Sequence, residues 1–324
     1  MSEQTNAIMH ISDSEQGSAR SVAPDVALVA EPIVNVYFIG TPGAGDRGWV
    51  LIDAGLPGFT GQIVQAAAER FGANARPAAI VMTHGHFDHV GSLRELAERW
   101  DAPVYAHPLE LPYLTGRSPY PPADPGVGGG GMALLSWMYP RGPVDLGNRV
   151  HPLPADGSVP HLPGWQAIHT PGHSPGHVSL WREKDRTLVA GDAFVTTKQE
   201  STIAALMKPV EMHGPPMYFT PDWAASRRSV NTLAALHPAV AATGHGLPMH
   251  GAELDTALHE LARNFEYQAV PAQGRYVGQP AITDENGIVS VPPPNNPLAR
   301  PLTIFAAAAF AGAAVSALQR RNHA

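Results

Sequence analysis

Three imidazoles and one carboxylate fall within the six residues His84-Gly85-His86-Phe87-Asp88-His89. Neutral imidazole and carboxylate are the usual ligands of zinc and of similar divalent metals. The segment closely follows Ala78-Ala79-Ile80-Val81-Met82, an apolar run that reads as a short buried strand. A turn leaving such a strand aims alternate side chains into one pocket. His84 and His86 then point one way, while Asp88 and His89 reach a second point nearby. Histidines solvated in a polar surface loop are the competing reading, and four ligand-type residues at this spacing make it the weaker one. The chain has no cysteine. Thiolate ligands and disulfides are therefore excluded together, and metal chemistry falls to His, Asp and Glu.

H-x-H-x-D-H after a hydrophobic strand resembles the signature of the metallo-β-lactamase-fold hydrolases. In that family three histidines hold a first metal, the Asp and last His of the motif hold a second with a later His, and a later Asp bridges the two. Carried over residue by residue, the resemblance implies His84, His86 and His173 on the first ion, Asp88, His89 and His245 on the second, and Asp192 between them. Each later residue follows a strand-like run: His173 after Gly164 to His169 and the turn at Pro171-Gly172, Asp192 after Thr187 to Gly191, His245 after Ala239 to Gly244. His177 takes the place of a histidine that is structural in the family. Asp53, in Asp53-Ala54-Gly55, is either a turn residue or an acceptor for a buried donor. The resemblance makes it a hydrogen-bond partner of the site, since ligand histidines need an acceptor on their other ring nitrogen.

The implied cofactors are two divalent ions, zinc in the first place, with Mn2+ or Fe2+ as alternatives. Such a pair lowers the pKa of a shared water, and the hydroxide attacks a carbonyl ester, lactone or thioester, with Asp88 able to accept a proton. A phosphodiesterase and a non-hydrolytic metal-dependent oxidoreductase of the same fold are the alternative functions. Asp192 argues against true β-lactamases of the fold, which lack the bridging Asp. Val195 stands where the fold's acyl-homoserine lactonases carry Tyr. The basic glutathione-binding residues of glyoxalase II have no clear match.

The elements that must position these residues begin as β structure. Val26 to Val29, Val34 to Ile39 and Trp49 to Asp53 are short β-rich runs between tight turns. Helical periodicity follows over Phe59 to Phe71 and from Val90 to Trp100, then a strand over Pro103 to Ala106, and later helices over Asp222 to Leu236 and Ala252 to Phe265. Strands alternating with helices after an all-β start fit the α+β fold that the resemblance implies, an αββα sandwich of two mixed β-sheets with helices on the outer faces. The expected catalytic domain covers 25–290. Within it, 108–154 is rich in Gly and Pro and reads as a lid insertion. Its Tyr113, Trp137 and Tyr139 are expected to line an apolar substrate pocket, and Lys198 to Ser201 lie where they too could line it. His107, His151, His161, His169, His213, His250 and His259 have no place in the ligand pattern.

A net charge of −7 and a pI near 6.1 offer no basic field for nucleic acid, so the expected partner is a small-molecule substrate. Residues 1–24 lack the basic start and apolar centre of a signal peptide. They read as a flexible arm on a cytoplasmic protein. A Pro-rich linker over 291–301 leads into an apolar C-terminal helix over 302–324. Its run 302–318 is just short of a bilayer span and rich in Ala. It reads as a docked or oligomerising helix, with weak membrane association as the alternative.

Overall fold

The structure, a computed structural model, describes residues 19–294. Its first sheet has seven strands in chain order: β1 (Arg20–Ala23), β2 (Val26–Ala30), β3 (Asn35–Ile39), β4 (Val50–Ile52), β5 (Ala79–Val81), β6 (Val104–Ala106) and β7 (Val150–Pro152). Pairing is antiparallel from β1 to β4 and parallel from β4 to β7. The change comes where the connections become helices, α1 (Thr60–Phe71) and α2 (Leu93–Trp100), because parallel neighbours need a crossover. The second sheet runs β12 (Met249–His250), β11 (Val240–Thr243), β10 (Thr187–Gly191), β9 (Val178–Arg182), β8 (Trp165–His169), with β10 and β11 parallel. A hairpin, β13 (Ile282–Asp284) and β14 (Gly287–Ser290), follows.

Alternation along the strands produces the layers. Val26 and Leu28 face the second sheet and pack with Leu180, Val189 and Ala242, whereas Ala27 and Val29 face outward onto Ile63, Phe71, Leu93 and Leu96 of the helices. Trp49 anchors that outer layer, stacked on Phe71 at 4.5 Å and edge-on to Trp100. The far face of the second sheet packs on α6 (Trp223–Ala234) and α7 (Gly251–Arg263) through Val230, Leu233, Leu254 and Leu258. Asp222 caps α6, accepting from the Ala225 amide at 2.8 Å. Two mixed sheets between two helical layers are the αββα sandwich that was expected.

Two boundaries differ from the sequence reading. Arg20–Ala23, assigned to the arm, is strand β1, paired with β2 through an irregular register. The sheet ladder outweighs the polar composition that suggested an arm. The stretch 108–154 ends in β7, so its last residues belong to the first sheet. The rest is a chain of short turns and helices, α3 (Leu111–Leu114) and α4 (Gly131–Leu135) among them, and α5 (Thr202–Met207) lies beside α4. Residues 1–18 and 295–324 lie outside the described residues, and with them the segment 302–318. Among the described residues no helix is long and apolar enough to cross a membrane.

Candidate metal centre

Strand ends bring the ligands together. The parallel register of β4 and β5 pairs Ile52 with Val81 and sets Asp53 beside the start of the motif. Thr83 donates to it twice, from its amide to Oδ1 and from its hydroxyl to Oδ2, both at 2.7 Å. The His89 and Val90 amides fold back to the His86 carbonyl and close the motif into a turn. From the second sheet, β10 and β11 run side by side and end with Gly191 opposite Thr243, which delivers Asp192 and His245 at one level. His173 arrives on the turn between β8 and β9.

All seven expected ligands are buried in a single cluster. Ligand atoms of His84, His86 and His173 lie within 4.8 Å of one another, as do those of His84, His89 and Asp192 and those of Asp88, His89 and His245. Asp192 is the hub. Its Oδ2 is 2.9 Å from His245 Nε2, 3.4 Å from His173 Nε2 and 3.6 Å from His89 Nε2. The last contact is electrostatic, too long for a hydrogen bond. His86 Nδ1 is 2.9 Å from His173 Nε2, and His245 Nε2 is 3.6 Å from Asp88 Oδ2.

Three polar atoms in this cluster, His84 Nε2, His89 Nε2 and Asp192 Oδ1, are buried without a hydrogen-bond partner among the described residues. Leaving such atoms unpaired costs about 1–3 kcal/mol each, and lone pairs converging on one space are what a cation would satisfy. The site therefore fits divalent metal on its own chemistry.

The outward ring nitrogens are held. His89 Nδ1 donates to Asp53 Oδ2 at 2.8 Å. The Thr83 hydroxyl, already a donor to Asp53, accepts from His84 Nδ1 at 3.0 Å. One carboxylate thus directs the Nε2 lone pairs of both histidines inward. Thr220 stands 3.3 Å from His173 Nδ1, and the Ile33 carbonyl makes a short contact with His245 Nδ1. His177 is structural: its Nε2 accepts from the Asp192 amide at 2.9 Å, and its Nδ1 meets the Thr170 hydroxyl.

Burial, aided by neighbouring imidazoles, holds His84 and His173 well below the usual histidine range and His86 at about 3. They are neutral at physiological pH, the form that binds metal. Burial opposes charge on His89, but Asp192 and Asp53 outweigh it and push its pKa well up. Burial also opposes ionisation of Asp192, and His245 and His89 reverse that, holding it far below the carboxylate range.

Aromatic rings wall one side. Phe219 stacks on His86 at 4.7 Å, and Tyr120 tilts against the same ring at 4.5 Å. Tyr139 packs on Phe87 and Phe219. Tyr113 is fully buried and stacks on Tyr120 at 3.9 Å, so Tyr120 separates it from His86. Trp137 is 44% exposed. Glu200 is committed to the Met217 amide, and Lys198 is exposed. The other histidines stay out of the buried cluster; His107 stacks on His169 instead. Tyr120 belongs to the aromatics of the Gly- and Pro-rich insertion, whereas Phe219, Thr220 and Ile33 had no signal in the sequence, since each serves through a ring, a hydroxyl or a carbonyl far from the motif.

A family model described as Metallo-beta-lactamase superfamily matches residues 30–245. A relative from Bacillus subtilis (strain 168), named Probable metallo-hydrolase YflN, is 46% identical over 254 residues, which is 78% of this chain and 96% of the relative. Probable metallo-hydrolase YybB of the same organism is 33% identical over 196 residues, 60% of this chain and 74% of its own. Among solved structures, a Beta-lactamase domain protein from Burkholderia ambifaria superposes with a TM-score of 0.55 at 18% identity, covering 80% of this chain and 79% of that one, a likeness of fold alone. The matched span includes every residue of the buried cluster, and the chain belongs to the metallo-beta-lactamase superfamily.

Proposed function

We propose that this chain is a dinuclear metal-dependent hydrolase of a carbonyl ester, lactone or thioester in a small, largely uncharged molecule. The observation that carries the reading is Asp192 Oδ2, within 3.6 Å of imidazole nitrogens from both ligand groups. His84, His86 and His173 would hold one ion, Asp88, His89 and His245 the other, and Asp192 both. Zinc suits a set of imidazoles and carboxylates without thiolate, and Mn2+ or Fe2+ would be accepted by the same donors. Two such ions would supply an activated water at neutral pH and an electrostatic grip on the electrophile's oxygen.

The residues supply the rest. Asp88, buried with its Oδ2 3.6 Å from His245 Nε2, stands where a carboxylate could take a proton during attack. Phe87, Tyr139 and Phe219 offer an apolar wall that would bind an acyl group by burial, at about 25 cal/mol per Å2. The names of the two Bacillus relatives support hydrolysis. Elemental analysis of purified protein, joined to a panel of esters, lactones, thioesters and aryl phosphodiesters, tests the reading. Close to two ions per chain and preferred turnover of acyl substrates are expected. A bis-aryl phosphodiester turned over faster than every acyl substrate would overturn the bond assignment.

A further inference from the structure

The 3₁₀ turn Pro108–Glu110, just after β6, carries a carboxylate that the proposed chemistry does not use. Glu110 is fully buried and receives four hydrogen bonds. Its Oε2 accepts from the Gly85 amide at 3.0 Å and from the Tyr120 hydroxyl in a short contact. Its Oε1 accepts from the Ser174 hydroxyl and from the Gly176 amide, both at 2.7 Å. Burial pushes its pKa up to about 7 against the pull of these donors.

The placement of the donors gives the carboxylate its meaning. Gly85 sits between His84 and His86, on the loop that leaves the seven-stranded sheet. Ser174 and Gly176 follow His173, on the loop between β8 and β9 of the other sheet. One side chain thus spans the two loops that supply imidazoles to a single ion. Gly176 makes room for Glu110 and Gly85 for its partner Tyr120. A Cβ on Gly176 would lie 2.8 Å from the Glu110 nitrogen and 2.9 Å from its Cγ, and a Cβ on Gly85 would lie 2.7 Å from the Tyr120 hydroxyl. Tyr120 completes the unit, with its hydroxyl 2.8 Å from the Gly85 nitrogen and its ring against His86.

We propose that Glu110 is a positioning residue, a buried strut that holds the His84–His86 loop and the His173 loop at the separation the first ion requires. This rests on reading the cluster as a two-ion centre. Between the sheets the Val178 amide donates to the Thr83 carbonyl at 3.0 Å and ties the bases of the two loops, and Glu110 joins them farther out, where a functional site has to be held within about 0.5 Å. Hydrogen bonds to a carboxylate are strong and directional enough to supply that precision. The second ion's ligands are fixed elsewhere, His89 by Asp53 and His245 by the Ile33 carbonyl. Loss of the strut therefore acts on one ion and spares the other.

The test uses Glu110→Ala, Glu110→Gln and Tyr120→Phe. Cobalt(II) titration against a competing chelator reads the two binding steps, with His86→Ala and His245→Ala identifying which step is which. Amide exchange at Gly85 and Gly176 in the metal-free protein reads the strut itself. In Glu110→Ala the first-ion affinity is expected to fall roughly 10- to 100-fold, the range for outer partners of metal ligands, with the second unchanged, the Gly176 amide unprotected and the Gly85 amide less protected, since only the Tyr120 hydroxyl is left to it. Glu110→Gln is expected to fall between, because its single carbonyl oxygen leaves one loop amide without an acceptor. Equal weakening of both steps, or unchanged affinity with both amides still protected, would overturn the proposal. If Glu110→Ala does not fold, Glu110→Gln and Tyr120→Phe decide it: a selective loss at the first ion supports the strut, and none refutes it. Wild-type protein that takes up one ion at most would sink the two-ion reading, while the strut would still stand or fall on the protection of Gly85 and Gly176.

Discussion

The ligand cluster and the aromatic wall beside it touch at His86, yet they are built differently. Every ligand leaves a strand end or the loop next to one, is buried, and most have the ring nitrogen facing away from the cluster held by a hydroxyl, carboxylate or carbonyl. The wall rests on short helices and turns; the segment leading to Tyr139 exposes Leu134, Trp137 and Met138, and α5, beside α4, exposes Ile203 and Met207. A ladder of backbone hydrogen bonds fixes the first region, and ring packing with local turn hydrogen bonds, such as the Tyr139 amide to the Ser136 carbonyl and the Phe219 amide to the Pro216 carbonyl, fixes the second. On the proposed reading, chemistry that needs fixed geometry would sit on the sheet-bound part, and choice of substrate would fall to the loop-borne wall.

The largest expected effect is on the hub. Asp192→Ala should strip both ions and lower hydrolysis by at least about a hundredfold to a thousandfold, the scale for losing one electrostatic group at a reaction centre. Retention of both ions in that variant would break the contrast between a shared hub and separate ligand groups. His86→Ala and His245→Ala should each lose one ion, read by elemental analysis.

Asp53→Asn comes next. It leaves one acceptor oxygen where Asp53 uses two, so His89 or Thr83, and through it His84, loses its partner and metal affinity should drop by roughly 10- to 100-fold with the fold intact. Circular dichroism and chelator competition would check the two halves of that statement. A full-strength metal site in Asp53→Asn would mean that the ring orientations are set by packing instead.

Acid should act through His177, which burial holds at about 3 despite the nearby Asp192. In the unfolded chain the same group titrates near 6.5. Between those values the unfolded chain binds the extra proton, so this contribution to stability is whole above about pH 6.5 and drains as the pH falls towards 3. Glu31, raised to about 8 chiefly by burial, slopes the other way, its contribution fading as the pH rises through that value. The informative quantity is hence a difference. The metal-free wild type should lose more Tm between pH 7 and 5 than His177→Gln does, and parallel curves would count against the assignment.

The smallest effects belong to the wall. Phe219→Ala should raise the KM for acyl substrates several-fold, on the order of 1–2 kcal/mol of lost apolar contact, with metal content unchanged. Trp137→Ala should change KM less, because its ring is already half in solvent. A larger effect at Trp137 than at Phe219 would move the substrate from the inner wall to the exposed rim.

How far the site could be read from the chain follows the same division. Asp88 and His89 announce themselves because ligand spacing within one turn is a local property. Asp192 and His245 are legible through the family resemblance, each following an apolar strand and a small residue where that family places a ligand. Tyr113 and Tyr139 were grouped with Trp137 by composition, and the fold separates the three: one buried behind Tyr120, one on the wall, one at the surface. The strand at Arg20–Ala23 was hidden because polar residues on an edge pair through backbone groups that any side chain leaves available.

By itself, the sequence determined which residues can bind metal, that they leave strand ends, and that no thiolate competes with them. Tertiary structure alone decided what holds them. Glu110 joins two loops that are 66 residues from it at the farther contact, and the carbonyl that faces His245 belongs to Ile33, 212 residues away. A carbonyl is common to every residue and leaves no mark in a sequence. A buried carboxylate acquires its role only from the donors that folding brings to it.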